Sequence, residues 1–363
     1  MTKLRIWRRL TTHVDGWLFL GISLLIFTSL LVLYSAGGWS RVLGQGLNAL
    51  VALTCMWLVA NMPLPYLMRL ALPAYLLGLL LLLGVALFGD ISHGARRWLN
   101  IGITSIQPSE LMKISVPLML AWYFDKHEAT LRLRNFAIAA GLLLMPVFLI
   151  ARQPDLGTAL LISASGFYVL FLAGLSWKVI GSLATTAIAS APFIWNSLHD
   201  YQRHRIEMLL DPTKDALGKG YHTIQGMIAV GSGGIGGKGY LDGTQTHLDF
   251  LPERTTDFIF AVFSEEFGLV GNLILLLLYL FVIARGFAIT ANASTYFTRL
   301  MAGSVTLTFT TYAFVNMGMV SGILPVVGVP LPLVSYGGTS MLTLLIGIGM
   351  LMSIETHKHL VQT

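Results

Sequence analysis

The sequence predicts an all-α polytopic membrane protein with about ten transmembrane helices in one bundle. Two observations lead to this prediction. Hydrophobic residues make up 55% of the 363 residues and charged residues only 11%, whereas soluble domains carry about 25% charged residues. Apolar runs of about 20 residues, long enough to cross a bilayer, also recur along the chain. We therefore expect residues 1–363 to form a single integral membrane domain.

Hydropathy places ten predicted spans between polar or charged connections. One long polar stretch, at about 196–256, separates the seventh span from the eighth. The first run is too long for the hydrophobic part of a cleavable signal peptide, so we expect it to remain as an anchor. The predicted spans lie near 16–35, 45–62, 70–89, 106–124, 135–151, 156–175, 177–195, 257–284, 297–320 and 335–354.

Lysine and arginine residues in the short connections indicate the orientation of the spans. If the N-terminus is cytoplasmic, most of these basic residues fall on the inner side, as the positive-inside rule requires. Both termini are then cytoplasmic, and the long loop is extracytoplasmic. The formal charge of +6 follows from this distribution, so we expect a membrane and no nucleic acid as partner. The single cysteine, Cys55, excludes an intramolecular disulfide.

A proline- and glycine-rich segment at 322–338 interrupts the last part of the chain. Pro325, Pro330 and Pro332 prevent a regular helix. Irregular backbone at membrane depth must be buried in protein or line a wet cavity, because lipid cannot satisfy its polar groups. We interpret the segment as a re-entrant element on the outer side. An ordinary apolar outer loop is the alternative.

Ionisable residues within spans are candidates for function, because burying them in a membrane is unfavourable. Glu110 and Lys113 are three residues apart on one face of the fourth predicted span. They form either a neutralising ion pair or part of a polar cavity. Asp155 follows Pro154 near Arg152 at the start of the sixth span, where it can cap the helix and support the same cavity.

Asp257 lies where the long polar loop enters the membrane, close to Glu253. An aspartate against the apolar side chains of Phe258 and Phe260 has its pKa raised by desolvation, as a general base near neutral pH requires. Helix capping is the alternative, although Thr255 would serve that role better.

Basic residues of the long loop form a cationic surface that suits a phosphorylated lipid, with bulk anionic lipid as the alternative. The glycine-rich stretch 231–239 does not match a phosphate-binding loop. Ser232 stands where that motif requires glycine, and Gly239 stands where it requires serine or threonine. We therefore expect a flexible loop with free backbone amides.

Several long motifs resemble the shape, elongation, division and sporulation family of bacterial proteins, nearly from end to end. The residues at 199–205 and 243–252 resemble its rod-shape branch more than its division branch. Thr255 and Gly226 depart from the family pattern, which usually has histidine and serine there. The matching motifs are 94–102, 107–110, 153–158, 211–212, 220–222, 250–262 and 322–338.

The resemblance implies a ten-span peptidoglycan glycosyltransferase, an inverting hexosyltransferase. It would polymerise lipid II into glycan strands at the outer face of the bacterial cytoplasmic membrane, for cell elongation and rod shape. The essential catalytic aspartate of the family falls on Asp257, which is the expected general base. Glu110, Lys113 and Asp155 match polar cavity positions of the family. Further substrate-binding candidates are Arg97, Arg152, Gln202, Arg205 and Glu253.

The resemblance also implies partners: lipid II, a class B penicillin-binding transpeptidase and the MreBCD elongation machinery. No motif for a metal ion is present, so we expect no metal ligands. A divalent cation, Mg or Mn, is the one cofactor left open. Two alternatives to an enzyme are a lipid II flippase and a scaffold for the transpeptidase.

Overall fold

The computed structural model describes residues 12–92, 95–100, 105–153, 155–197, 203, 207, 219–247, 251 and 253–357. The described helices are α1 Gly16–Ala60, α2 Leu64–Phe88, α3 Pro108–Lys126, α4 Leu133–Ala151, α5 Leu156–Leu172, α6 Trp177–Ser197, α7 Lys219–Ser232, α8 Thr244–His247, α9 Ile259–Ala291, α10 Tyr296–Val320 and α11 Gly338–His357. Three short strands, β1 Asp90–Ser92, β2 Ala95–Asn100 and β3 Ser105–Ile106, form an antiparallel sheet in the order β1-β2-β3.

The predicted polytopic helical fold is confirmed, because each of the ten predicted spans coincides with a helical part of the described chain to within three residues at its ends. The first two spans share α1, which is broken at Gly38, where φ is 71°. Only glycine adopts this conformation without strain. Within the described residues, five helices are long and apolar enough to cross a bilayer by length and composition: α1, α2, α4, α9 and α11.

The helices α3, α5 and α10 pack against one another, while α1 packs chiefly against α11 and α9. The helix α10 carries several polar side chains on its buried face. Thr298, Ser304, Thr306 and Asn316 are all buried. Buried polar groups require hydrogen-bond partners, so the inner face of α10 indicates where a polar site is built.

In the irregular segment between α10 and α11, residues 321–337, most of 329–335 is buried in protein, whereas Ile323 and Val326 are exposed. Leu331, Leu333 and Val334 are almost fully buried. Side chains from other helices donate hydrogen bonds to its carbonyl groups, as backbone at membrane depth requires. The donors and acceptors are Ser29 Oγ to Val334 O (2.7 Å), Gln45 Nε2 to Ser335 O (3.0 Å), Tyr279 Oη to Pro332 O (2.7 Å) and Asn316 Nδ2 to Val329 O (2.6 Å).

The glycine-rich stretch 231–239 fills a break in α9 at Gly268, where φ is 63°. The amides of Lys238 and Gly239 donate to the carbonyls of Glu265 and Glu266, at 3.0 and 3.1 Å. In return, the amides of Leu269 and Val270 donate to the carbonyls of Gly234 and Ile235, at 2.9 and 3.1 Å. The expectation of a flexible loop with free amides is therefore wrong for this stretch.

Two features of the fold were not predicted. The connection between α2 and α3 contains the three strands, and the long loop contains the helix α7. Helix α7 packs against α9 and α10, and it brings Gly226 against Phe258, next to Asp257. A Cβ atom at Gly226 would lie 3.0 Å from two carbons of the Phe258 ring. The long loop thus contributes packing around the start of α9.

Candidate active site

A polar cavity of about 450 Å³ lies where several helices begin. Its wall includes the first turns of α3, α5 and α11, the turn before α9, and the irregular segment 321–337. Helix N-termini carry partial positive charge, which offsets the carboxylates of this cavity. The lining residues are Gln107, Glu110, Lys113, Asp155, Gly157, Thr158, Leu161, Asp257, Val326, Val327, Gly328, Pro330 and Ser340.

Asp257 lies two residues before α9, in a turn whose backbone accepts hydrogen bonds from other parts of the chain. Three consecutive carbonyl groups of this turn accept hydrogen bonds. The Tyr336 amide donates to Thr255 O (2.8 Å), Ser335 Oγ donates to Thr256 O (2.6 Å), and Asn316 Nδ2 donates to Asp257 O (2.9 Å). The irregular segment and α10 therefore fix the backbone that presents the Asp257 carboxylate to the cavity.

The Asp257 carboxylate is partly buried and lies outside the helical part of α9. Its pKa is raised from 3.8 to about 6, chiefly by burial and to a smaller extent by the negative charge of Glu253. Phe258, which follows it, is 2% exposed and keeps water from one side of the turn. A carboxyl with this pKa is ionised at neutral pH and is still basic enough to accept a proton.

Glu110 and Lys113 form an ion pair inside the cavity. Lys113 Nζ lies 2.5 Å from Glu110 Oε1, and Thr343 Oγ1 donates to Glu110 Oε2 at 3.0 Å. The Lys113 ammonium also lies 5.4 Å from the ring centroid of the buried Tyr312, within the range of a cation–π interaction. The ion pair and the cavity lining, which the sequence left as alternatives, are both present: Glu110 and Lys113 neutralise each other, and both side chains line the cavity.

Asp155 caps α5 and lines the cavity, as the sequence predicts. Its Oδ1 accepts from the amide of Thr158 (3.3 Å), and its Oδ2 accepts from Gln107 Nε2 (3.4 Å). Gln107 precedes α3, so this hydrogen bond joins the beginnings of two helices. Asp155 thereby connects the α3 and α5 sides of the cavity wall.

Two other candidates, Glu253 and Arg152, are not among the residues that line the cavity. Glu253 is exposed, and its Oε2 accepts from Thr256 Oγ1 at 2.8 Å. Arg152 is exposed after α4, with its guanidinium carbon 4.8 Å from the ring centroid of Phe148. Arg97 lies on strand β2, and its side chain is not among the parts described. Gln202 and Arg205 lie outside the described residues.

Sequence reasoning missed several neutral residues of the site: Gln107, Thr343, Ser335 and Asn316. Their contacts join parts of the chain far apart in sequence, such as Thr343 with Glu110. A weak signal existed for Asn316, since an asparagine within a span needs a partner. For Gln107, the signal was its place in the motif that also contains Glu110.

Among the residues that the structure describes, no group of three or more His, Cys, Asp or Glu side chains could hold a metal ion. Glu110 is already paired with Lys113, and Asp155 is engaged as a helix cap.

Comparison with known proteins identifies the family. The family model FTSW_RODA_SPOVE, described as cell cycle protein, matches residues 9–360. The chain belongs to this family. The membership expected from the sequence motifs is thus confirmed, and the ten-span fold agrees with solved structures of family members.

Two relatives named peptidoglycan glycosyltransferase MrdB match almost the whole chain. The protein from Escherichia coli strain K12 is 51% identical over 359 residues, covering 95% of this chain and 94% of the relative. The protein from Helicobacter pylori strain J99 is 35% identical over 359 residues, covering 97% and 93%. The expected similarity to the rod-shape branch of the FTSW_RODA_SPOVE family is confirmed.

Solved structures show the same fold. One chain of a peptidoglycan synthase complex superposes with a TM-score of 0.83 at 31% identity, covering 95% of this chain and 98% of that chain. The rod shape determining protein RodA of Thermus thermophilus superposes with a TM-score of 0.72 at 28% identity, covering 95% and 97%.

Proposed function

We propose that this protein is a peptidoglycan glycosyltransferase that polymerises lipid II into glycan strands. The observation that carries the proposal is the Asp257 carboxylate, held at the wall of a polar cavity where the long polar loop meets the start of α9. A relative that is 51% identical over nearly the whole chain is named for this activity, which supports the assignment.

In the proposed reaction, Asp257 acts as a general base. Its carboxylate takes the proton from the 4-hydroxyl of the GlcNAc of an acceptor lipid II. That oxygen forms a bond to the anomeric carbon of the donor MurNAc as the bond from that carbon to the diphosphate oxygen breaks. Undecaprenyl diphosphate leaves with the electron pair. The single displacement inverts the anomeric centre, and the proton then passes from Asp257 to water.

The remaining cavity residues position the substrate in this proposal. Glu110, Asp155 and Gln107 offer hydrogen-bonding groups to sugar hydroxyls, and Lys113 with the helix N-termini supplies positive potential for the departing charge. Arg97, Arg152, Gln202, Arg205 and Glu253 stay proposed contacts for the substrate around the cavity. Because the diphosphate is a good leaving group, holding the two substrates in line supplies most of the remaining acceleration.

We further propose the bacterial cytoplasmic membrane as the location, with both termini cytoplasmic and the Asp257 cavity facing outward. Lipid II, a class B penicillin-binding transpeptidase and the MreBCD machinery are the proposed partners. The similarity to a chain of a peptidoglycan synthase complex supports the transpeptidase.

The test is polymerisation of labelled lipid II by purified protein, with and without a class B transpeptidase. Wild type is expected to yield glycan polymer, and Asp257→Asn, which keeps the shape of the side chain, is expected to yield none. A flippase would instead move lipid II across vesicles without making polymer. A scaffold would give no polymer, with or without the transpeptidase. Either result would refute the enzyme assignment.

A further inference from the structure

Asn316 bonds two segments of backbone that meet at the cavity. It lies on α10 and is fully buried. Its Nδ2 donates to the carbonyl of Asp257 at 2.9 Å and to the carbonyl of Val329 at 2.6 Å. One amide group therefore joins the turn before α9 to the irregular segment 321–337.

The orientation of this amide is determined by its neighbours. With the group reversed, Oδ1 would face two carbonyl oxygens, and three acceptors would lie together without a donor. In the observed orientation Oδ1 is buried and has no hydrogen-bond partner among the described residues. Buried acceptors without partners are uncommon and unfavourable. The two carbonyl contacts thus dictate the orientation even though it leaves Oδ1 without such a partner.

The two carbonyl groups that accept from Asn316 belong to neighbouring parts of the cavity wall, the turn at Asp257 and the segment around Gly328. Asp257 carries the carboxylate, and Val329 follows Gly328, which borders that carboxylate. A Cβ atom at Gly328 would lie 3.3 Å from Asp257 Oδ2. The other two hydrogen bonds to this turn, from the Tyr336 amide and the Ser335 hydroxyl, go to the carbonyls of residues 255 and 256. Among the described residues, Asn316 supplies the side-chain hydrogen bond to the carbonyl of residue 257.

We infer that Asn316 is a positioning residue for glycosyl transfer, which fixes the Asp257 carboxylate against Gly328 at the cavity wall. This inference rests on the proposed function. Asn316 is not among the residues that line the cavity, so it acts through Asp257 and does not touch the substrate. Its effect is therefore expected in the catalytic step and not in the binding of lipid II.

Two variants remove the donors: Asn316→Asp, which keeps the shape, and Asn316→Ala. With rates normalised to the folded fraction, each is expected to lower kcat about 100-fold, as for a displaced catalytic group, with KM for lipid II unchanged. In Asn316→Ala, which adds no charge, the released carboxylate gains hydration, so the acid limb of the pH–rate profile is expected to move to lower pH. A purely structural role would change the folded fraction and leave that limb in place.

Asn272→Asp is the matched control. Asn272 lies on α9, and its Oδ1 accepts from Ser264 Oγ at 3.0 Å, a contact that aspartate can keep. This variant is expected to retain the wild-type kcat and acid limb. The inference is overturned if wild type polymerises lipid II and Asp257→Asn does not, while both Asn316 variants keep the wild-type kcat or Asn316→Ala keeps the wild-type acid limb. Absence of polymer from wild type would instead refute the proposed function itself.

Discussion

Gly328 and Asp257 are in close contact across the cavity wall. A Cβ atom at Gly328 would lie 3.3 Å from Oδ2 of Asp257, and the backbone of Gly328 has a φ of 71°. This contact distance leaves little room for a methyl group, and this φ is unfavourable for any residue with a side chain. The glycine thus allows the irregular segment to approach the carboxylate closely.

Gly328→Ala is therefore expected to lower kcat. The added methyl group pushes against the carboxylate, and the left-handed backbone costs about 1–2 kcal/mol for alanine. A shift of a few tenths of an ångström at the base should lower the rate about tenfold. Steady-state polymerisation of lipid II measures this effect. Gly174→Ala is the matched control, because Gly174 has a φ of 95° with no atom within 4 Å of a Cβ there. Equal activity of the two variants would contradict the prediction.

Polymerisation is expected to depend on pH with an acid limb near pH 6. Burial and the charge of Glu253 raise the pKa of Asp257 to about 6, and a general base works only when it is deprotonated. The rate should therefore rise through this pH and level off above it. Initial rates between about pH 5 and 8 would show the limb. A limb near the ordinary value of 3.8 would count against a desolvated base.

Glu253→Gln tests whether the charge of Glu253 contributes to the position of the acid limb of the polymerisation rate. The substitution removes the charge that raises the pKa of Asp257 and keeps an oxygen that can accept from Thr256. The acid limb should move to lower pH, and only slightly, because Glu253 is exposed and its charge is screened.

Asp257→Asn is expected to stabilise the protein while it abolishes polymerisation. The pKa of Asp257 is higher in the folded state than its ordinary value, so the folded state binds the proton more tightly and loses stability as pH rises from about 4 to 6. Asparagine carries no charge and avoids this loss. The gain should be at most about 3 kcal/mol at neutral pH and should vanish below about pH 4. Thermal unfolding in detergent at the two pH values measures it, and an equal gain at both would contradict this explanation.

Two variants can distinguish a structural role of the Glu110–Lys113 pair from a role in substrate binding. Lys113→Met leaves Glu110 charged in a site where both side chains are about one-tenth exposed, and it should lower stability by roughly 3 kcal/mol. Adding Glu110→Gln removes the stranded charge and should restore most of that stability. Polymerisation by the double variant should stay at least about tenfold below wild type. Recovery of both stability and activity would mean that the pair only neutralises charge.

Two physical properties, hydropathy and the high energy of buried charge, predicted the membrane spans and the charged residues of the cavity. The ten spans follow from apolar runs, and Glu110, Lys113, Asp155 and Asp257 were singled out because ionisable residues in or beside a membrane span need an explanation. The structure places all four at one cavity. The sequence predicts a connection between the first two spans, and the structure reduces this connection to a kink at Gly38 within α1.

The neutral part of the site could not be found from one sequence. Thr343 bonds Glu110 across the cavity, whereas Thr306 bonds the carbonyl of Ala302 in its own helix. Nothing in the local sequence separates these two threonines. Asn316 is similar, since its partners lie 59 and 13 positions away in the chain. Such contacts depend on how the helices pack, which local periodicity does not specify.

The packing of the 231–239 stretch into the break in α9 affects the local unfolding of both segments. Four backbone hydrogen bonds cross between the stretch and residues 265–270, and the Lys238 ammonium reaches the fully buried carboxylate of Glu265 at 2.7 Å. If the stretch separates from α9, the helix exposes unpaired peptide groups inside the bilayer, which is highly unfavourable. This part of the long loop and the membrane helix α9 should therefore exchange their amide hydrogens as one cooperative unit, with similar protection on both sides of the contact.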